Sequence, residues 1–245
     1  MITSHHDILA ADARRMEELG RPVDPITGLN SVGERFPLHL SDCLLGCQYL
    51  PVAMRTDPLI DTLLATGSVA ETARRFHLTP DETIDRMLRL RLRHDFPFWA
   101  ALTALIKCKG GGADVHFRLN RPQRSLVESF ERARVAGQPI RIILLKARQW
   151  GGSTCTQLYM AWLQLMHSIG LNSLIIAHQG AGSDEIKDMF DRMIGAYPLQ
   201  LLYTPAQRKE LRGGPAKMRK MEGGGAGAYT HLRAHETKAH RVWRR

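Results

Sequence analysis

Between residues 120 and 194 the apolar positions change period several times. Leu126, Phe130 and Ala133 recur at helical spacing after Asn120-Arg-Pro-Gln123 and before Gly137. Ile140 to Leu145 is then an apolar run interrupted only by Arg141. Leu158, Ala161, Trp162, Leu165 and Met166 return to the i, i+3, i+4, i+7, i+8 pattern of a helix packed on a sheet. Leu171 to Ala177 is a second apolar run, and Ile186, Phe190, Met193 and Ile194 mark a further helix capped by Ser183. These periods predict a helix from about residue 121, a buried strand at 140–145, a helix at 153–167 and a strand at 171–177. A strand–helix–strand unit of this kind forms a right-handed parallel crossover. The expected fold class is therefore α/β, with an incomplete parallel sheet behind a mainly helical N-terminal region.

Upstream the pattern is different. Residues 1–20 read as a short polar helix, the start of an irregular region reaching residue 58. Pro22, Pro25, Gly28, Gly33, Pro37, Gly46, Pro51 and Pro58 punctuate residues 21–58, which predicts loops and short extended pieces such as Phe36–Leu40. Residues 59–94 resemble a helix-turn-helix. Val69, Ala70, Ala73 and Phe76 share one helical face, and His77-Leu-Thr-Pro80 turns the chain. Thr79 caps the next helix with Pro80 at its first position, and Ile84, Met87 and Leu88 continue the apolar face. Arg86, Arg89, Arg91 and Arg93 lie on this second helix. Two readings stand here: a helix presenting arginines to DNA phosphates, or an ordinary helical hairpin with a solvated face. Beyond it, residues 95–205 form the expected α/β region, with a short strand candidate at Val115–Leu119.

After about residue 205 the patterning fades. Six glycines fall between Gly213 and Gly227, few large apolar residues remain, and no strand is expected. Residues 206–245 read as a basic, Gly-rich tail without a packed core. The charge sits there. Residues 201–245 hold eleven Lys/Arg and three acids, a net of +8, which leaves only +2 of the chain's +10 for residues 1–200. Cys43, Cys47, Cys108 and Cys155 show no second close pair to complete a zinc site, and they fit reduced thiols in the cytoplasm. No apolar run is long enough to span a membrane, and Met1-Ile-Thr-Ser-His-His-Asp is not a signal peptide.

The segment with the most chemistry is Lys146-Ala-Arg-Gln-Trp-Gly-Gly-Ser-Thr154, between the expected strand and helix. A strand, a glycine loop and a helix start with Ser-Thr present backbone N–H groups and a helix dipole to a phosphate. Against the pattern G-x-x-x-x-G-K-[ST], Gly151 stands at the second glycine and Ser153 at the magnesium hydroxyl. Gly152 occupies the lysine's place and Lys146 the first glycine's, with Arg148 as a second cation.

This displaced-lysine loop resembles that of the large terminase subunit of tailed bacteriophages, the ATP-driven motor that packages viral DNA. The family's variant loops read basic-x-Arg-Gln-x-Gly-x-Ser-Thr, and residues 146–154 fit position by position. The resemblance implies a P-loop NTPase-like parallel sheet, incomplete here, with ATP and Mg as cofactors. Lys146 and Arg148 would hold the triphosphate, with Gln149 between them and the glycines. Gly151, Gly152 and Ser153 would supply backbone donors, and Ser153, or else Thr154, would ligate magnesium. Gln123 matches a glutamine before the motor core that reads adenine, although helix capping alone also explains it. His178, after the second strand, would be at most a relay between nucleotide and DNA. Implied partners are double-stranded DNA, the portal, the small terminase subunit and further copies of the chain, in the host cytoplasm.

The resemblance covers residues 90–200 best. No apolar strand ending in Asp-Glu follows residue 177, and no acidic cluster for a two-metal nuclease lies near the end. Glu236, ahead of Trp243, is the nearest carboxylate to a catalytic place, but basic residues surround it and no apolar strand precedes it. The expectation is a truncated large subunit, or one with a shifted frame after residue 205, that binds ATP without a clear catalytic glutamate. The alternative is a non-enzymatic DNA-binding protein that uses residues 59–94 and the basic tail.

Overall fold

The computed structural model describes residues 23–108, 111–145, 150–167, 173–174, 188–192, 218–220 and 226–228. The chain divides into two compact units, residues 1–98 with 118–152, and residues 99–117 with 153–245. The expected helix at 1–20 lies outside the described residues.

The first unit opens with an antiparallel hairpin, β1 (Arg35–His39) and β2 (Cys47–Pro51), in which His39 pairs with Cys47 and Arg35 with Pro51. The density of Pro and Gly concealed β2. Its alternation survives in Gln48 and Leu50, which are buried on either side of the less buried Tyr49. Three helices follow: α1 (Pro58–Thr66), α2 (Val69–Phe76) and α3 (Pro80–His94). Each is started by a residue the sequence marks for the purpose. Asp57 accepts from the N–H of Leu59, with Pro58 leading α1. Ser68 accepts from Glu71 N–H at α2. Thr79 and Glu82 form the reciprocal capping box of α3.

A second carboxylate reinforces α2 from outside. Asp42, in the β1–β2 turn, accepts from the backbone N–H groups of Val69 (2.8 Å) and Ala70 (3.0 Å) and from the Ser68 hydroxyl (2.7 Å). These donors hold its pKa down at about 2. Phe36, Leu38, Leu50, Met54, Leu59, Ile60, Leu63, Val69 and Met87 form one buried cluster beneath the hairpin and the three helices. The helix α5 (Arg121–Val135) belongs to the same unit and carries the expected Asn120–Gln123 capping box. Glu128 on α5 accepts from Gly33 N–H at 3.1 Å, which ties the helix to the loop before β1.

In the second unit, α4 (Phe96–Thr103) brings in its C-terminal half, followed by a two-residue ladder between β3 (Leu105–Ile106) and β4 (Val115–His116). The helix α6 (Gly152–Trp162) continues as a wider turn, Leu163–His167, and matches the predicted helix. Its apolar stripe is buried as expected: Leu158, Ala161 and Trp162 are enclosed, and Trp162 meets Tyr159 and the edge of His167 at centroid distances of 5.4 and 4.6 Å. Residues 188–192 are helical, as the Ile186–Ile194 pattern predicted.

Among the described residues the predicted parallel sheet is not formed. Residues 140–145 form no strand. Ile143 and Leu145 are 102% and 101% exposed and Ile142 and Leu144 both 43%, so the run expected to be buried lies in solvent. Of the second predicted strand, β5 (Ser173–Leu174) is described, and it pairs with β7 (Ala226–Ala228), not with 140–145. β7 in turn pairs antiparallel with β6 (Met218–Lys220). The described sheets are therefore two antiparallel pairs and one short mixed set, without a P-loop NTPase sheet. An apolar run announces burial, but a strand exists only where a neighbour accepts its ladder, and periodicity does not name the neighbour. The same distinction explains β6 and β7, which lie where no strand was expected. Backbone pairing does not require an apolar run. Among the described residues no helix is long and apolar enough to cross a membrane.

Candidate functional site

The predicted phosphate loop is met in part. Lys146, Arg148 and Gln149 lie outside the described residues, as do His178 and Glu236. Helix α6 starts where the motif placed it, at Gly152, with the Ser153 side chain exposed. The Thr154 hydroxyl is turned to the Met189 sulfur at 3.1 Å. What fails is the other half of the device. Without a strand at 140–145 and a parallel sheet behind it, the P-loop and Walker-type ATP-binding architecture is not present among the described residues. The DNA-packaging ATPase expected from it is corrected on that ground. Among the described residues no three His, Cys, Asp or Glu side chains are grouped to hold a metal ion.

Two predicted site residues do come together. Gln123 is buried, and its Oε1 accepts from Asn120 N–H at 2.9 Å to complete the cap of α5. Its Nε2 donates to the carbonyls of Gly151 (3.0 Å) and Trp150 (3.4 Å), while Asn120 Nδ2 also donates to Trp150 O at 3.0 Å. Gly151 has φ +81°, and a Cβ there would stand 2.5 Å from Gln123 Nε2. A Cβ on Gly152 would fall 2.5 Å from the Trp150 ring. Both glycines are thus required by close packing and backbone geometry inside this clamp. Gln123 works here as a cap and as the clamp's donor.

α2 and α3 are consecutive helices joined by a short turn. Residues 77–79 form the turn. His77 closes α2 in the left-handed region at φ +54°, donating its N–H to the last turn, and Leu78 N–H returns to Ala73 O at 2.9 Å. The four arginines read on this helix as candidates for facing phosphates separate. Arg86, Arg89 and Arg93 recur at spacings of three and four, so they form one stripe, with Arg86 and Arg93 exposed and Arg89 half-buried. Arg86 lies over the Phe76 ring at 5.7 Å, which places the stripe beside the C-terminal turn of α2, where Arg74 and Arg75 are exposed. Arg89 pairs with Asp85 at 2.6 Å and Arg75 with Glu71, both across one helical turn.

Arg91 points the other way. It is fully buried, stacked at 3.9 Å on the Phe98 ring, and donates to Asp95 (3.0 Å), Gln48 (2.7 Å) and the carbonyls of Ile26 (2.6 Å) and Pro25 (3.1 Å). Asp95 is equally buried and receives a second, two-pronged guanidinium from Arg35 at 2.8 and 2.9 Å. Burial pushes the Asp95 carboxyl upward, but Arg35 and then Arg91 outweigh it and hold its pKa below the usual range. Sequence reasoning missed this cluster. The available signal was local: of the four arginines only Arg91 has an acid, Asp95, four residues after it.

No family model, curated protein or solved structure matches this chain.

Proposed function

We propose that the protein binds double-stranded DNA without needing a nucleotide, docking through the arginine stripe of α3 with the basic tail as a second source of positive charge. The observation that carries the reading is the sorting of the α3 arginines. One is taken wholly into the core by Asp95, and three are left in a row on the outer face. A row at helical spacing on one exposed face suits phosphates, which bind cations through charge and reach more than through exact fit. The tail's net +8 acts in the same direction. Kinship with large terminase subunits is a proposal about descent alone, supported by the fit of residues 146–154 and by Gln123 lying against Gly151.

The test is fluorescence anisotropy of a labelled duplex with the full chain. Binding is expected at low salt, indifferent to added ATP. Changing Arg86, Arg89 and Arg93 together to alanine is expected to weaken it by roughly tenfold or more, because about three phosphate contacts are lost. Equal affinity of parent and triple variant would remove the stripe from the reading.

A further inference from the structure

The charge along α3 is not uniform, and its distribution bears on how the helix meets DNA. A helix-turn-helix ordinarily inserts the N-terminal residues of its second helix among base edges in the major groove. Here that end carries Asp81, Glu82 and Asp85, all exposed. Glu82 is committed to the cap, accepting from Thr79 N–H at 2.7 Å, and cannot reach a base without releasing the start of the helix. Asp85 is held by Arg89. Pushed into the groove, this end would bring its carboxylates between two rows of phosphates. The positive groups begin only at Arg86 and run on through Arg93, on the remaining two-thirds of the helix.

Resting on the docking reading above, we infer that α3 lies along the phosphate backbone by its Arg86–Arg89–Arg93 stripe and keeps its first turn out of the major groove. The partner is then duplex DNA of any sequence. Phosphate contacts fix position but carry no base information, and the exposed carboxylates at the start of α3, Asp81, Glu82 and Asp85, have the wrong sign for approach to the groove. The acidic turn acts as a repulsive guard that sets the orientation of docking.

The experiment uses the full chain and four duplexes of equal length: AT-rich, GC-rich, alternating and mixed. Affinities are expected to agree within about threefold. The salt dependence of log K should become shallower by about 0.9 for each of the three arginines replaced by alanine. Asp81→Asn with Asp85→Asn is expected to tighten binding to all four duplexes alike. A single duplex preferred more than tenfold, with the preference lost in the Asp→Asn variant, would overturn the inference and leave the docking reading standing. No binding to any duplex, or an unchanged salt slope in the triple arginine variant, would overturn the docking reading itself. Circular dichroism of each variant separates these outcomes from loss of fold.

Discussion

Replacing Asp95 by asparagine preserves the shape of the side chain and removes its charge, so it isolates what that charge does. Each carboxylate oxygen accepts two bonds: Oδ1 from Arg35 Nη2 and Phe98 N–H, and Oδ2 from Arg35 Nη1 and Arg91 Nε. Whichever way the amide turns, its NH2 group replaces an oxygen with two donors facing it. Two guanidiniums, one fully buried and one nearly so, then lose their counter-ion. Breaking a buried pair from one side costs about 3–5 kcal/mol, because the partner is left charged in a place water cannot reach. Against a total stability of about 5–15 kcal/mol this is a large fraction. With a urea slope of about 2 kcal/mol per M, the midpoint of the first unit should fall by about 2 M, or the variant should fail to fold. Tryptophan fluorescence and far-ultraviolet circular dichroism in urea measure it. A companion variant, Arg35→Met, Arg91→Met and Asp95→Leu together, removes all three charges and should recover part of the loss, the remainder reflecting the carbonyls of Pro25, Ile26, Val32 and Tyr49 left without their donors. A midpoint within about 0.5 M of the parent for Asp95→Asn would refute the reasoning.

Two further outcomes follow from the geometry. Gln123→Ala should cost about 1–2 kcal/mol in thermal denaturation, by removing both the α5 cap and the donors to Trp150 and Gly151, whereas Gln123→Glu keeps the cap acceptor but buries a carboxylate against those two carbonyls and should cost at least as much; a Gln123→Glu variant as stable as the parent would mean the clamp contributes nothing. Asp42 titrates below its ordinary 3.8, so its stabilisation of α2 is whole above that pH and drains away as pH falls towards 2. Asp42→Asn should therefore lower stability near neutrality by about 1 kcal/mol, a value kept small by the site's exposure to solvent, and the gap to the parent should close between pH 4 and pH 2. A gap that stays constant across that range in melting curves would contradict the assignment.

Much of the helical part of the protein was legible because its signals are local. Thr79 with Pro80, and Asn120 with Gln123, each settle a helix start within four residues, and both are found where expected. The sheet was not legible for the opposite reason. Ile140–Leu145 has a strand's composition, yet the edge of Ser173–Leu174 it was expected to meet is taken by Ala226–Ala228 from the Gly-rich segment. That choice depends on residues fifty positions apart, which no window of sequence contains. The candidate site divides along the same line. The place of Gly152 at a helix start and of Gln123 at a cap could be read directly. That Gln123 would spend its amide on Gly151, and that Arg91 would leave its neighbours for the core, required the fold.

The buried Arg35–Arg91–Asp95 cluster has a consequence for how this unit comes apart. Its bonds reach Pro25 and Ile26 in the entry loop, Val32 and Arg35 at the first strand, Gln48 and Tyr49 on the second, and the end of α3. The entry loop would ordinarily be the first piece to open, as loops with few apolar contacts do. Here it cannot lift away without stranding a guanidinium in the core, so its opening is tied to that of the hairpin and the helix. These segments, separated by some seventy residues of chain, behave as one cooperative unit whose weakest surface loop borrows the stability of its centre.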